Sequence, residues 1–442
     1  MKKSQLLKLT TLFLFSSILS SQIISYELIT SWSQEEVENL YNQYGIPSST
    51  GEINYSVDGY KILYFTPDFN GELVICSGAI FLPVAIGCSP PILSWQHGTE
   101  SDDNGAPSNI GFTSNDLTGV IAASHGYIVM MSDFIGLGEG EGFHNYVHAD
   151  TEASATIDLI IYGKEFATEM LGIQPSEQLF LFGYSQGGHA TMAAVKEIEA
   201  NYSDQLQVTA SAPMAGPYDM SESQRLMLEA GAPYPSPGYL PYLLFAYNKI
   251  YNLYEDINDV LIPPYNNFLY NMYNGTYGML TINALLPEVP IEIFTDEYYQ
   301  EYLNNENHPF KLALIDNDVY NFVPQSPMRL LHCNGDDNVT YENAQVAYDY
   351  FVKNGADNVE LIDGGNFTHL ECASIAILAG KIWIDSMAEL CEPTNLNESI
   401  TRKKEIVKSV DILGRNINNH KQNNTIIDIY SDGTHRKRLT IK

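Results

Sequence analysis

Positive charge is scarce in this chain. Its 442 residues carry 22 Lys and Arg against 54 Asp and Glu, a formal net charge of −32. A phosphate backbone would be repelled, so nucleic acid is excluded as a partner. Cysteine is sparse too. Cys76, Cys88, Cys333, Cys372 and Cys391 lack the paired spacing of a zinc site. Past the N-terminal region, no apolar run approaches the length of a membrane span. Long internal repeats are also missing, which leaves no basis for a stacked-repeat architecture.

What is present begins with MKKSQLLKLTTLFLFSSILSSQ. Lys2 and Lys3, the short apolar stretch Leu9–Leu19 and the small residues after it read as a secretory signal peptide over residues 1–25. A buried N-terminal helix is the structural alternative. No cysteine follows closely enough for a lipid anchor. Export would place the cysteines in an oxidising compartment, with one or two disulfides and at least one thiol left over. Their pairing stays open. Length and a 45% hydrophobic content suit one large domain with an insertion and an appendage.

Short apolar or alternating segments predict strands at Tyr60–Phe65, Glu72–Leu82, Pro91–Trp95, Tyr127–Ser132 and Gln178–Phe182. Helical periodicity falls between them, around Asn115–Ala123, over Glu152–Leu171 and over Gly188–Glu199. This alternation predicts a mainly parallel sheet with helices on both faces. After Met214-Ala-Gly-Pro217 the pattern changes. Residues 218–325 are crowded with tyrosine and broken by Pro and Gly, which predicts an inserted, mostly helical cap. Strands resume at Met328–Cys333 and Val359–Ile362. A polar linker opens the last section, residues 393–442. From 401 to 442 there are ten Lys/Arg against four Asp/Glu, or +6, leaving −38 on the rest. The tail therefore reads as a separate, small β-type module.

The chemistry centres on LFLFGYSQGGHA, residues 179–190. Gly183-Tyr184-Ser185-Gln186-Gly187 matches G-x-S-x-G, a weak signal alone. Here a strand precedes it and a helix follows, which is the setting that holds a serine hydroxyl above a sheet. A serine needs a base, and the base needs an orienting carboxylate. The order Ser, acid, His is met downstream. HCNGDDNVTYENA offers Asp336 or Asp337, and DGGNFTHLECA offers His369. Both loops follow strands, so both should reach the sheet edge that carries Ser185. Gln186, the residue after the nucleophile, would supply one oxyanion N–H.

From about Tyr60 to Ala388 the chain resembles the α/β-hydrolase superfamily, and within it the secreted lipase/esterase family typified by fungal secretory lipases. The resemblance rests on GYSQG, on His332-Cys-Asn-Gly-Asp336-Asp-Asn-Val339-Thr-Tyr341 and on GYIVMMSDFIGLGEGEGFHNYVHAD. It implies that the acid is Asp336, on a pattern similar to H-G-x-x-D-x-x-V-P-Y, with departures at Cys333 and Thr340. It also implies that Thr99, just upstream of Ala106-Pro107-Ser108, is the second oxyanion donor. The end of the tail, with LGR, IYSDGT and a basic–apolar terminus, resembles a type IX secretion sorting segment. A small β-hairpin domain without that task is the alternative.

Other motifs read as structural. The glycines around Gly136 and Gly138 mismatch a dinucleotide fingerprint, with Glu141 at the third glycine position. His144 and His148 stand four apart, as two metal ligands on a helix would, but lack a clear third partner. His97 precedes the expected catalytic order and should shape its loop. His189 should pack on the helix.

The expectation is thus an α/β-hydrolase fold working as a secreted or surface-located lipase/esterase, without metal or cofactor, on a small-molecule or lipid ester. Ser185, Asp336 and His369 would be catalytic, and Gln186 and Thr99 would form the oxyanion hole. A peptidase of the same fold is one alternative, though no room for an N-terminal propeller precedes Tyr60. A catalytically silent surface-binding protein is the other, and a complete, ordered triad argues against it.

Overall fold

The computed structural model describes residues 22–111, 114–391, 406–411, 425–430 and 435–439. Most of the expected leader, and the linker and turns of the tail, lie outside these residues. A nine-stranded sheet is built from β1 (Ile23–Trp32), β2 (Val57–Pro67), β3 (Leu73–Pro83), β4 (Ile92–Gln96), β5 (Ile128–Ser132), β6 (Leu179–Tyr184), β7 (Val208–Met214), β8 (Met328–His332) and β9 (Val359–Asp363). Their spatial order is β1-β2-β3-β5-β4-β6-β7-β8-β9. The pairs β1/β2, β2/β3 and β3/β5 are antiparallel, and every pair from β5 onward is parallel.

The inner parallel strands β4, β5 and β6 are buried at every position because both of their faces are covered. In β6, Leu179 and Leu181 enter one core, while Phe180 and Phe182 enter the other. β5 splits the same way, Ile128 and Met130 against Val129 and Met131. This is the two-residue period of a strand. The helices that close the faces are α1 (Gln34–Tyr44), α2 (Ser114–Ser124), α3 (Ala149–Leu171), α4 (Gln186–Glu197), α11 (Glu342–Lys353) and α12 (His369–Asp385). Between β7 and β8 lie α5 (Arg225–Glu229), α6 (Tyr239–Tyr251), α7 (Tyr265–Met272), α8 (Met279–Asn283), α9 (Asp296–Asn304) and α10 (Pro309–Asp316). They share a third core rich in tyrosine, in which Tyr242 stacks between Tyr146 and Tyr273 at 4.4 and 4.5 Å. Three phenolic oxygens of this core are satisfied by backbone carbonyls: Tyr242 donates to Glu100, Tyr273 to Gly238 and Tyr247 to Val147. That explains how tyrosine can replace leucine in a buried cluster.

Several elements depart from the sequence expectation. β1 carries no strong apolar period, because it is an edge strand with mostly exposed side chains. α1 is not among the expected helices, although Val37, Leu40, Tyr41 and Tyr44 follow helical spacing behind a Ser33–Glu36 capping box. β1 starts at Ile23, so Ile23–Ser25 belong to the strand although the expected leader runs to residue 25. β7, VTASAPM, is a strand of small residues that the apolar count passes over. α3 begins at Ala149, three residues before Glu152, with His148 at its N-terminal cap. In the tail, β10 (Ile406–Asp411), β11 (Thr425–Tyr430) and β12 (His435–Leu439) form an antiparallel sheet ordered β10-β11-β12. Cys333 pairs with Cys372 and Cys88 with Cys391. Cys76 remains a buried thiol whose pKa is pushed up to about 12 by burial. Among the described residues, no helix is long and apolar enough to cross a membrane.

Candidate active site

β6 ends at Tyr184 and α4 begins at Gln186, so Ser185 alone makes the turn. Its φ of 61° and ψ of −122° lie where side-chain-bearing residues rarely sit, a strain of about 1–3 kcal/mol that such sites hold. The turn is held from both sides. Ser185 N–H donates to the Met214 carbonyl at the end of β7 (2.9 Å), and its own carbonyl accepts from Gly188 (2.8 Å). A Cβ on Gly187 would collide with the Gln96 carbonyl. Glycine is therefore required there by close approach to β4, not by the turn alone.

His369 is the first residue of α12, behind a capping box made by Thr368 and Glu371. Its Nε2 lies 2.9 Å from Ser185 Oγ and its Nδ1 lies 2.6 Å from Asp336 Oδ2. A carboxylate only accepts, so Nδ1 carries the hydrogen and Nε2 offers its lone pair to the serine hydroxyl. Asp336 follows β8. Its Oδ1 accepts from the backbone N–H of Asn338 (3.0 Å) and Val339 (2.8 Å). Burial would push the Asp336 carboxyl up, but hydrogen bonds from His332 and His369 hold it well below the usual carboxylate range. Asp337 points elsewhere: its Oδ1 accepts the backbone N–H of His369 at 3.1 Å. The Cys333–Cys372 bond ties the loop that carries Asp336 to α12, three residues past His369.

Gln186 opens α4, so its backbone N–H lies at a positive helix end. Thr99 follows β4 on the loop that passes Ser185, and its Oγ1 hydrogen-bonds Tyr146 Oη at 2.9 Å. A cavity of about 30 Å³ borders Ser185. Its walls include Tyr146, Met220, Leu228, Tyr234, Tyr239 and Leu243, mostly from the segment between β7 and β8.

Some nearby residues had no assigned task. His332 Nε2 lies 2.9 Å from the Val339 carbonyl and 3.2 Å from Asp336 Oδ2. It ends β8, four residues before Asp336. Tyr184 donates to the His369 carbonyl at 2.6 Å and packs on its ring. His189 does not merely pack: its Nδ1 hydrogen-bonds the fully buried carboxyl group of Glu152. His97 is buried and lies 2.7 Å from the Gly98 carbonyl and 3.2 Å from that of Asp133, fastening its loop to the end of β5. His144 and His148 precede α3 in irregular chain rather than on a helix. Their ring nitrogens go to the Ile135 carbonyl and the Thr151 hydroxyl. Among the described residues, no cluster of three or more His, Cys, Asp or Glu could hold a metal ion.

The architecture has solved counterparts. A cell wall degrading esterase, LipA of Xanthomonas oryzae, superposes with a TM-score of 0.71 at 26% identity, covering 83% of this chain and 98% of that one. A Legionella pneumophila structure designated a hydrolase gives 0.74 at 28%, covering 82% and 97%. Candida antarctica lipase A in its closed state shares the fold at 18% identity, with a TM-score of 0.61 over 83% and 82% of the two chains. No curated protein matches the chain in sequence. Sheet order, flanking helices and these neighbours define an α/β-hydrolase, and the protein is an ester hydrolase of lipase/esterase type. More narrowly, the secretory lipase family model matches residues 108–389, well over half of the chain. The chain belongs to the secretory lipase family.

Proposed function

We propose that the protein is an exported serine hydrolase that cleaves carboxylic esters through an acyl-enzyme on Ser185. The hydrogen-bonded file Asp336–His369–Ser185, at 2.6 and 2.9 Å, carries this reading. Ser185 Oγ attacks the acyl carbon while His369 Nε2 takes its proton. Asp336 keeps the hydrogen on Nδ1 and stabilises the imidazolium that forms. The backbone N–H groups of Gln186 and Thr99 receive the oxyanion, aided by the positive end of α4. Imidazolium returns its proton to the leaving alcohol. Water then attacks the acyl carbon by the same steps, releasing the acid and restoring Ser185. None of these steps calls for a metal or an organic cofactor.

Residues 218–325 act in this reading as a cap. A cavity of about 30 Å³ is far below the ~300–1,000 Å³ of ordinary ligand sites. In this reading the cap helices shift away from Ser185 to admit an ester. The Leu, Met and Tyr walls suit an acyl chain or an aromatic ester, including a lipid ester. The leader would direct export. The basic tail would engage secretion machinery of type IX, in keeping with its LGR and IYSDGT stretches and the charge reversal.

The test uses p-nitrophenyl esters of increasing acyl length, with Ser185→Ala as control. The parent should turn over these esters and the variant should not. Equal rates in both would sink the mechanism. Preference for acetate and butyrate over long chains would rule out a true lipase.

A further inference from the structure

Directly behind the nucleophile turn is a hydrogen-bond network that the proposed reaction does not use. Gln186 Nε2 donates to Glu152 Oε1 at 2.8 Å and to His144 Nε2 at 2.9 Å. His144 can accept there because its Nδ1–H is engaged with the Ile135 carbonyl, and burial lowers its pKa to about 3, keeping it neutral. The other Glu152 oxygen lies 2.6 Å from His189 Nδ1, and His189 Nε2 lies 3.0 Å from the Asn317 carbonyl. Glu152 and His189 are 1% and 0% exposed.

Hydrogen counting constrains this pair. Both imidazole nitrogens of His189 face oxygens, and a neutral imidazole has one N–H. Either imidazolium faces carboxylate, or a Glu152 O–H donates to Nδ1 while Nε2–H serves Asn317. Both arrangements contain the same hydrogens and are neutral overall, which is how complete burial is tolerated. Asn317 lies beyond α10, and its Oδ1 accepts from Ala149 N–H at 2.8 Å, at the start of α3. The network therefore locks α3, α4 and the end of the 218–325 segment to one another.

We propose that Glu152 is a positioning residue: it clamps the Gln186 side chain so that the Gln186 backbone N–H stays aimed at the acyl oxygen. The inference rests on the Ser185 acyl-enzyme reading. Without Glu152, the Gln186 amide loses its anchor beside the cavity that it borders, and the donor tilts. Because the oxyanion exists only past the ground state, the effect falls on kcat and not on KM.

Glu152→Met and Gln186→Met each keep side-chain length and remove the clamp from one side. Glu152→Gln keeps it, since an amide oxygen can accept from Gln186 while its N–H donates to His189 Nδ1. Active sites are counted by fluorophosphonate labelling of Ser185, and kcat per labelled site is measured with p-nitrophenyl butyrate. Both Met variants should lose at least about tenfold in kcat with KM within about threefold, and Glu152→Gln should restore kcat to within about threefold of the parent. Parental kcat in either Met variant overturns the proposal, as does a Glu152→Gln as slow as Glu152→Met. Should Glu152→Met fail to fold, Gln186→Met decides alone, because it leaves the Glu152–His189 pair intact. Absence of labelling at Ser185 in the parent would instead refute the acyl-enzyme reading.

Discussion

Asp336→Asn discriminates most sharply among the residues around His369. Asp336 Oδ1 is held by two backbone N–H groups and Oδ2 faces His369 Nδ1. In the variant, the amide oxygen must stay on the backbone donors, so its NH₂ turns to the imidazole. Nδ1 then accepts and the ring hydrogen moves to Nε2, where it points at Ser185 Oγ. The base has lost its lone pair without any change in shape. His332 sharpens the effect, since its Nε2 now meets a second donor at 3.2 Å. Losing the correct tautomer costs about 10⁴ in kcat, or about 5 kcal/mol of transition-state stabilisation. Asp337→Asn is the matched control. Asp337 touches the backbone N–H of His369 and not its ring, so an amide oxygen can replace its contact and kcat should fall less than about tenfold. Rates on p-nitrophenyl butyrate, divided by fluorophosphonate-labelled sites, read both. An Asp336→Asn enzyme within tenfold of the parent, or equal losses in the two variants, would refute the tautomer argument.

Cys333→Ser with Cys372→Ser opens a 39-residue loop. The chain-entropy estimate is about 4 kcal/mol of stability, and because the bond joins the acid's loop to the base's helix, activity should melt before the global far-UV transition. Coincident transitions would contradict this. Glu100 has its pKa pushed up to about 8 by burial, with Asp102 adding repulsion. Its folded pKa exceeds its unfolded one, so the stability it contributes is complete below pH ~4.3 and is lost as pH rises through about 8. Glu100→Gln should therefore raise Tm at pH 8–9 and leave it unchanged at pH 4, by thermal melts across that range. An equal change at both ends would show that charge is not the cause. Deleting residues 393–442 should leave ester hydrolysis intact and abolish surface delivery. Normal delivery of the truncated protein, judged by cell fractionation, would remove the sorting role.

Much of the architecture was legible along the chain because it is written by short-range burial. β5 is apolar from Ile128 to Met131 and β6 from Leu179 to Phe182 because each faces two cores. The strand, glycine and serine order around Ser185 marks the turn for the same reason. Elements were missed where that signal is absent. β1 is an exposed edge, and β7, VTASAPM, is made largely of small residues that give little apolar signal. Glu152 reads as an ordinary acidic residue in the first turn of a helix. Nothing within its neighbours reveals that it faces Gln186 and His189.

Sequence by itself determined the alternation of strands and helices, the tight turn at Ser185 and the candidates that follow it in order. Composition also set apart the tyrosine-rich segment and the basic tail. Tertiary structure alone decided which side chains meet. His369 reaches Ser185 across 184 residues, and adjacent carboxylates separate, Asp336 to the imidazole ring and Asp337 to the backbone. It also set the small volume above Ser185, since cavity size depends on how the helices between β7 and β8 lean on the sheet. Period and turn chemistry are local properties of a chain, whereas a distance between two side chains belongs to the packed whole.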